Sequence, residues 1–205
     1  MGKRPRILIV GTHRSGTSNL GRALALSLGI NFLGEPWNQN INKAQLGPGV
    51  EPFPFPNGIK PYSIVKTLVQ HLPLEWDSKH IEFFEILTKQ FDTVILLTRQ
   101  NVHDMAVSYA KARETGHWHS EYTIDNIGEL DLMIEFHQWC HELILKVSKA
   151  LQSPITWYEH LYSGDEVIFN KEVDKWGIDI NRNLLFKHFN PKNRLRKFIP
   201  NKTTI

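Results

Sequence analysis

Residues 7–20 read ILIVGTHRSGTSNL and join a short apolar run to a glycine-containing loop. Residues 7–10 have the apolar, β-branched composition of a buried parallel strand, and the leucines and alanines of residues 20–28 have helical spacing. The loop between them therefore connects a strand to a helix. Gly11 and Gly16 have the G-x-x-x-x-G spacing of a phosphate-binding loop, in which backbone amides at a helix start face an anion.

The position after the second glycine holds Thr17, where a nucleoside triphosphatase carries the lysine that reaches the β and γ phosphates. Thr17 and Ser18 offer hydroxyl donors at the helix start, and Arg14 offers a cation. Loss of the lysine argues against a triphosphate with its magnesium ion. The loop is therefore predicted to bind a ligand with a single phosphate-like group, and the alternative is an ordinary strand-turn-helix connection.

Length and composition limit the organisation of the chain. Its 205 residues, of which 41% are hydrophobic, suffice for one core, so we expect a single domain over residues 1–205. The one cysteine cannot form an internal disulfide, and no apolar run is long enough for a signal peptide or a membrane span. We therefore expect a soluble, cytoplasmic protein with no membrane partner.

Basic residues are concentrated near the C-terminus. The net charge is +3, yet residues 180–205 contain seven basic and no acidic side chains. This basic C-terminal segment is either a solvated end or a site for an anion. Nucleic acid is not an expected partner, because the segment is short and contains no recognised nucleic-acid-binding motif.

Apolar runs of strand length alternate with helical runs, which predicts an α/β fold with a central parallel sheet flanked by helices on both faces. We expect strands at residues 7–10, 31–33, 63–65, 94–98 and 155–157, and helices at residues 20–28, 81–90, 104–115 and 129–151. Residues 34–62 interrupt the alternation, because they are rich in proline, glycine, asparagine and aromatic residues. A loop this long after a strand is typical of a lid or a ligand-binding loop.

The segment HRSGTSNL resembles the 5′-phosphosulfate loop of sulfotransferases, which use 3′-phosphoadenosine 5′-phosphosulfate (PAPS) as the sulfuryl donor. A second segment, VILLTRQNVHDMAVSYAKA, resembles the family's 3′-phosphate site, where an arginine at a strand end and a serine on the next helix bind the phosphate. Arg99 and Ser108 fill these positions, one residue further apart than is usual in the cytosolic members. A guanidinium suits this role because it forms paired hydrogen bonds with phosphate.

Two further segments resemble the family in part. ITWYEHL is similar to the YEDL signature, in which the tyrosine lies near adenine, so the resemblance assigns this place to Tyr158, with His160 in place of the aspartate. Arg196 and Lys197 match the start of the closing R-K-G-x-x-G signature, and Asn19 stands where cytosolic members carry an adenine-stacking tryptophan. The segment INFLGEPWN resembles the Glu-Pro segment that follows the second strand in carbohydrate and bacterial sulfotransferases, so the chain looks closer to these than to the cytosolic phenol enzymes.

The resemblance extends from residue 5 to about residue 180. It implies a P-loop NTPase-like sulfotransferase fold and transfer of a sulfuryl group from PAPS to the hydroxyl group of a small molecule or glycan. We expect this acceptor to be carbohydrate-like. Adenosine 3′,5′-bisphosphate is the implied product, no metal is required, and residues 34–62 are expected to bind the acceptor. The implied donor-binding residues are Arg14, Ser15, Gly16, Thr17, Ser18, Arg99, Ser108, Tyr158, Arg196 and Lys197.

In-line displacement at sulfur needs a base for the acceptor hydroxyl and cations for the developing negative charge. Glu35, at a predicted strand end, is the first choice as base. His71 is the alternative, because IVKTLVQHLP resembles the K-T-H-L-P segment of the cytosolic enzymes. Arg14 and Lys66 are expected to neutralise charge on the sulfonate and on the bridging oxygen.

Two other functions fit the same motifs. One is a P-loop kinase with an altered loop. The other is a non-catalytic module that binds adenosine bisphosphate with both anion loops and has lost the acceptor site.

Overall fold

The computed structural model of the protein describes residues 5–35, 63–71, 79–115 and 130–190. Five strands lie in these ranges and pair in parallel in the order β2-β3-β1-β4-β5. The strands are β1 (Ile7–Gly11), β2 (Asn31–Gly34), β3 (Ser63–Leu68), β4 (Thr93–Thr98) and β5 (Ile155–Trp157). The predicted α/β fold with a central parallel sheet is confirmed.

Four longer helices match the predicted ones. They are α1 (Thr17–Leu28), α2 (His80–Thr88), α3 (Val102–Thr115) and α4 (Leu130–Leu151). Three further helices follow β5, where the sequence predicts none: α5 (Tyr158–Leu161), α6 (Glu166–Asp174) and α7 (Arg182–Phe189). No helix in the described part of the chain is both long enough and apolar enough to cross a membrane.

The core lies on both faces of the sheet, because successive side chains of a strand point to opposite faces. Ile7 and Ile9 of β1 pack with residues of α1, α6 and α7. Leu8 and Val10 pack on the other face with residues of α2 and α4. All four side chains are fully buried, which explains why this strand is apolar throughout rather than alternating.

The described part of the basic C-terminal segment belongs to this core. Residues 182–189 form α7, whose Leu185 and Phe189 are buried. Arg182 lies at the surface, where it pairs with Asp174 at 2.6 Å. Residues 191–205, which include Arg196 and Lys197, lie outside the described residues.

The carboxyl ends of the parallel strands meet along one edge of the sheet. The loop that follows β1 lies at the centre of this edge. Glu35 follows β2 and His71 comes shortly after β3 on one side, while Arg99 follows β4 and Tyr158 follows β5 on the other. Ligands of open α/β sheets bind at this edge. The fold therefore brings the site residues predicted from separate segments of the sequence to one place.

Candidate active site

The loop between β1 and α1 is a tight strand-to-helix turn. Gly16, directly before α1, has φ +87°, a left-handed conformation that glycine adopts without strain. Ser15 closes the turn by donating from Oγ to the Thr12 carbonyl oxygen at 2.7 Å. The first amides of a helix have no intrahelical acceptor, so α1 starts with donors directed into this turn. The arrangement suits an anion at the start of α1.

Gly11 allows the start of α1 to lie directly against the sheet. A Cβ atom on Gly11 would lie 2.2 Å from Thr17 Cγ2 and 2.8 Å from the Leu97 carbonyl oxygen. Both distances are shorter than any stable contact between these atoms. Only glycine therefore fits at the end of β1.

Replacing Gly11 by alanine is expected to lower the free energy of unfolding by about 1–3 kcal/mol, because the methyl group must displace the start of α1. Gly34→Ala is the matched control. Gly34 also ends a strand, and beyond its chain neighbours no atom of the described residues lies within 4 Å of the place where its Cβ would be. Denaturant unfolding of both variants measures the difference, and equal stabilities would contradict the close packing at Gly11.

The loop has no lysine of its own, but Lys66 of β3 brings an ammonium group to the start of α1. Its Nζ donates to Ser18 Oγ at 2.9 Å and forms an ion pair with Glu35. The Lys66 side chain is only 9% exposed, so its charge is held against the start of α1. Ser18 occupies the loop position that binds magnesium in a nucleoside triphosphatase. An ammonium group therefore lies beside the hydroxyl that would otherwise hold the metal.

The two candidate bases are in contact with each other. His71 Nδ1 lies 3.1 Å from Glu35 Oε2, while Glu35 Oε1 faces Lys66. The backbone amide of Glu35 donates to the Lys66 carbonyl at 2.8 Å, and Glu35 has φ +35°, which is uncommon for a residue other than glycine. Glu35, Lys66 and His71 thus form one polar group next to the loop, although the sequence presents Glu35 and His71 as alternatives.

A cluster of uncharged rings packs against His71. The His13 ring lies edge-on to His71 at 4.8 Å, stacks on Tyr109 at 5.0 Å and lies 6.3 Å from His137, measured between ring centroids. Burial, with a smaller contribution from His71, lowers the pKa of His13 to about 3, and burial lowers the pKa of His137 to about 4. Both rings are therefore neutral at pH 7. This cluster of rings was not predicted from the sequence. The one feature of the sequence that points to it is the position of His13 inside the loop.

A second cationic group lies on the β4 side of the loop. Arg14 Nε donates to Ser108 Oγ at 2.9 Å. Burial, and then the neighbouring charge of Arg99, lower the pKa of Arg14 from its ordinary value. Arg99 Nε is buried and has no hydrogen-bond partner in the described part of the chain. The motif predicts that Arg99 and Ser108 act together, and the structure adds Arg14 as the residue that contacts Ser108.

Tyr158 links this second group to the loop. Its ring centroid lies 3.8 Å from Arg99 Cζ, and a Cβ atom on Gly16 would lie 2.9 Å from Tyr158 Cδ2. The Tyr162 ring lies 4.2 Å away, centroid to centroid. Tyr158 therefore already contacts a guanidinium and a second ring, and the adenine contact that the resemblance implies stays a prediction.

Two substitutions relative to the family motifs have partners in the structure. Asn19, in place of the tryptophan, bonds to the Tyr162 hydroxyl and lies 2.9 Å from His188 Nε2, so it ties α7 to α1. His160, in place of the aspartate, lies 2.7 Å from the buried carboxylate of Glu172. Both residues therefore connect elements of the fold.

The structure gathers the predicted residues of the described ranges around one loop. Arg196, Lys197 and residues 36–62 of the predicted acceptor loop lie outside these ranges. Within them, no group of three or more His, Cys, Asp or Glu side chains could hold a metal ion.

No model of a known protein family matches the chain, and no curated protein matches it either. The sulfotransferase resemblance is therefore carried by the quoted motifs alone.

Proposed function

We propose that the protein is a sulfotransferase that transfers a sulfuryl group from PAPS to a hydroxyl acceptor. The observation that carries the proposal is the presence of two separate cationic groups on the two sides of one anion-binding loop. Lys66 of β3 lies on one side, and Arg14 with Arg99 lies on the β4 side. PAPS presents two separate anionic groups, a 5′-phosphosulfate and a 3′-phosphate, which match this arrangement.

The residues present fit such a donor. The start of α1, with Thr17 and Ser18, would hold the 5′-phosphate, and Lys66 would face the sulfonate. Arg14, expected at the sulfonate from the sequence, contacts Ser108 and is therefore assigned with Arg99 to the 3′-phosphate. Arg99 Nε is buried and has no hydrogen-bond partner among the described residues, and the two arginines carry like charges. Both observations favour an anion between them.

The position of Lys66 also favours a donor that binds without magnesium. A metal ion on Ser18 would lie beside the ammonium group that bonds to the same hydroxyl, and the like charges would repel. The kinase alternative requires a magnesium complex of ATP at this place. Lys66 therefore favours PAPS over ATP.

The proposed reaction is an in-line displacement at sulfur. A bond forms between the acceptor oxygen and sulfur while the bond from sulfur to the bridging phosphate oxygen breaks, and its electron pair leaves with adenosine 3′,5′-bisphosphate. The acceptor proton passes to His71 rather than to Glu35, the first choice from the sequence, because the Glu35 carboxylate is already paired with Lys66. Because the Glu35 carboxylate accepts from Nδ1, the basic lone pair of the imidazole lies on Nε2. Lys66 offsets the charge that develops on the bridging oxygen.

Calorimetric titration with adenosine 3′,5′-bisphosphate and with ATP, each with and without magnesium, tests the donor class. We expect the bisphosphate to bind more tightly than ATP and to bind equally well with a chelator present. Tighter binding of ATP that depends on metal would support the kinase instead.

Transfer of labelled sulfate from PAPS to a library of hydroxyl compounds tests catalysis. A sulfated product identifies the acceptor and excludes the non-catalytic module. Tight binding of the bisphosphate without transfer to any acceptor would favour that module.

Replacing Arg99 by alanine is expected to weaken binding of adenosine 3′,5′-bisphosphate by about ten- to a hundredfold, because a charge-assisted contact to phosphate is lost. Arg182→Ala is the matched control, since it removes the same charge from an exposed ion pair on α7. Calorimetry on both variants measures the effect. Unchanged affinity of the Arg99 variant would place the 3′-phosphate elsewhere, with Arg196 and Lys197 as the next residues to replace.

A further inference from the structure

Glu159, the second residue of α5, holds the turn that follows β4. Its carboxylate accepts hydrogen bonds from the Gln100 amide at 3.0 and 3.1 Å and from the Asn101 amide at 3.4 Å. Hydrogen bonds to an ionised carboxylate are stronger than those between neutral groups. One side chain of α5 therefore fixes two consecutive amides of a distant segment.

This turn lies between the two segments that carry Arg99 and Ser108, the residues predicted to bind the 3′-phosphate. Arg99 directly precedes it, and Ser108 lies on α3, which directly follows it. Asn101 also caps the N-terminus of α3, because its Oδ1 accepts from the Asp104 amide at 3.1 Å. Any shift of the turn would move Arg99 relative to Ser108.

The neighbouring Tyr158 holds the side chain of Arg99 while Glu159 holds the backbone. The guanidinium of Arg99 lies 3.8 Å from the Tyr158 ring centroid, and its charge acts on the nearby Arg14. Two like charges repel, so Arg99 needs such support to stay beside Arg14 when no anion is bound. Tyr158 and Glu159 together supply it.

We propose that Glu159 is a positioning residue for the 3′-phosphate site. It sets the place of Arg99 relative to Ser108 and thereby the preference of the protein for nucleotides that carry a 3′-phosphate. Its own carboxylate accepts from backbone amides, so in this proposal it acts on the phosphate through Arg99. The inference rests on the proposed PAPS donor.

The test compares adenosine 3′,5′-bisphosphate with adenosine 5′-phosphate by calorimetry in the wild type and in Glu159→Ala, Glu159→Gln and Glu166→Ala. We expect Glu159→Ala to lose about tenfold in affinity for the bisphosphate and to keep its affinity for the 5′-phosphate. Glu159→Gln keeps an acceptor oxygen and should lose less. Glu166→Ala is the matched control, because it removes an exposed carboxylate from the first turn of the next helix.

An unchanged ratio of the two affinities in Glu159→Ala would overturn the inference. Equal losses for both nucleotides would give this result, because a general structural role affects both. If Glu159→Ala does not fold, the same comparison is made with Glu159→Gln. A wild type that does not prefer the bisphosphate would overturn the proposed donor, and this inference with it. If the wild type prefers the bisphosphate and the Glu159 variants keep this preference in full, the inference is wrong while the proposed donor stands.

Discussion

Replacing His71 by asparagine is expected to slow sulfuryl transfer by about 100-fold or more while nucleotide affinity stays near the wild-type value. A positioned general base contributes about 10²- to 10⁴-fold, and the asparagine amide has a similar size but cannot take the acceptor proton. Turnover is measured with labelled PAPS and the acceptor found in the transfer screen, and nucleotide affinity by calorimetry. Added imidazole should restore part of the activity of a His71→Ala variant.

Glu35→Gln tests whether Glu35 supports His71 or acts as the base itself. Glutamine can still accept from His71 Nδ1 but lacks the charge that stabilises an imidazolium, so we expect a loss of about 10- to 100-fold. Because the two residues act as a unit, the double variant should be hardly slower than His71→Asn alone. Losses that multiply would show that the residues act independently. A severe loss in Glu35→Gln with a mild one in His71→Asn would make Glu35 the base.

The strands could be predicted from the sequence because each carries a local signal. β1 is apolar throughout, since both faces of the sheet are covered, and the prediction of residues 7–10 differs from Ile7–Gly11 by one residue. The helices α5 to α7 are short and lack such a signal. In α6, for example, Val167 and Ile168 are exposed, which obscures the apolar stripe that packs into the core. Asp165 and Asn181, which cap α6 and α7, were the available signals.

The residues of the candidate site could be predicted from the sequence, but the contacts between their side chains could not. Lys66 reaches Ser18 because β3 lies next to β1, and Glu35 reaches His71 because β2 lies next to β3. Periodicity along the chain does not set the order of strands, so it cannot say which side chains meet. For the same reason, the motif associates Ser108 with Arg99 and does not reveal its contact with Arg14.

Replacing Lys66 by methionine is expected to lower turnover by about 100- to 1,000-fold, the range for removing one preorganised group that stabilises developing charge. Methionine keeps the apolar stem and removes the ammonium. The change also leaves Glu35, whose side chain is 13% exposed, without its cation, so the free energy of unfolding should fall by on the order of 3 kcal/mol. Turnover with labelled PAPS and denaturant unfolding measure the two effects.

The double variant Lys66→Met with Glu35→Gln distinguishes lost chemistry from lost stability. Removing both charges leaves no unpaired ion in the site, so much of the stability should return. Turnover should stay low, because neither the ammonium nor the charged partner of His71 is restored. A double variant that regained turnover together with stability would show that Lys66 acts only through the fold, and the charge on the bridging oxygen would then have to be met by the arginines on the β4 side of the loop.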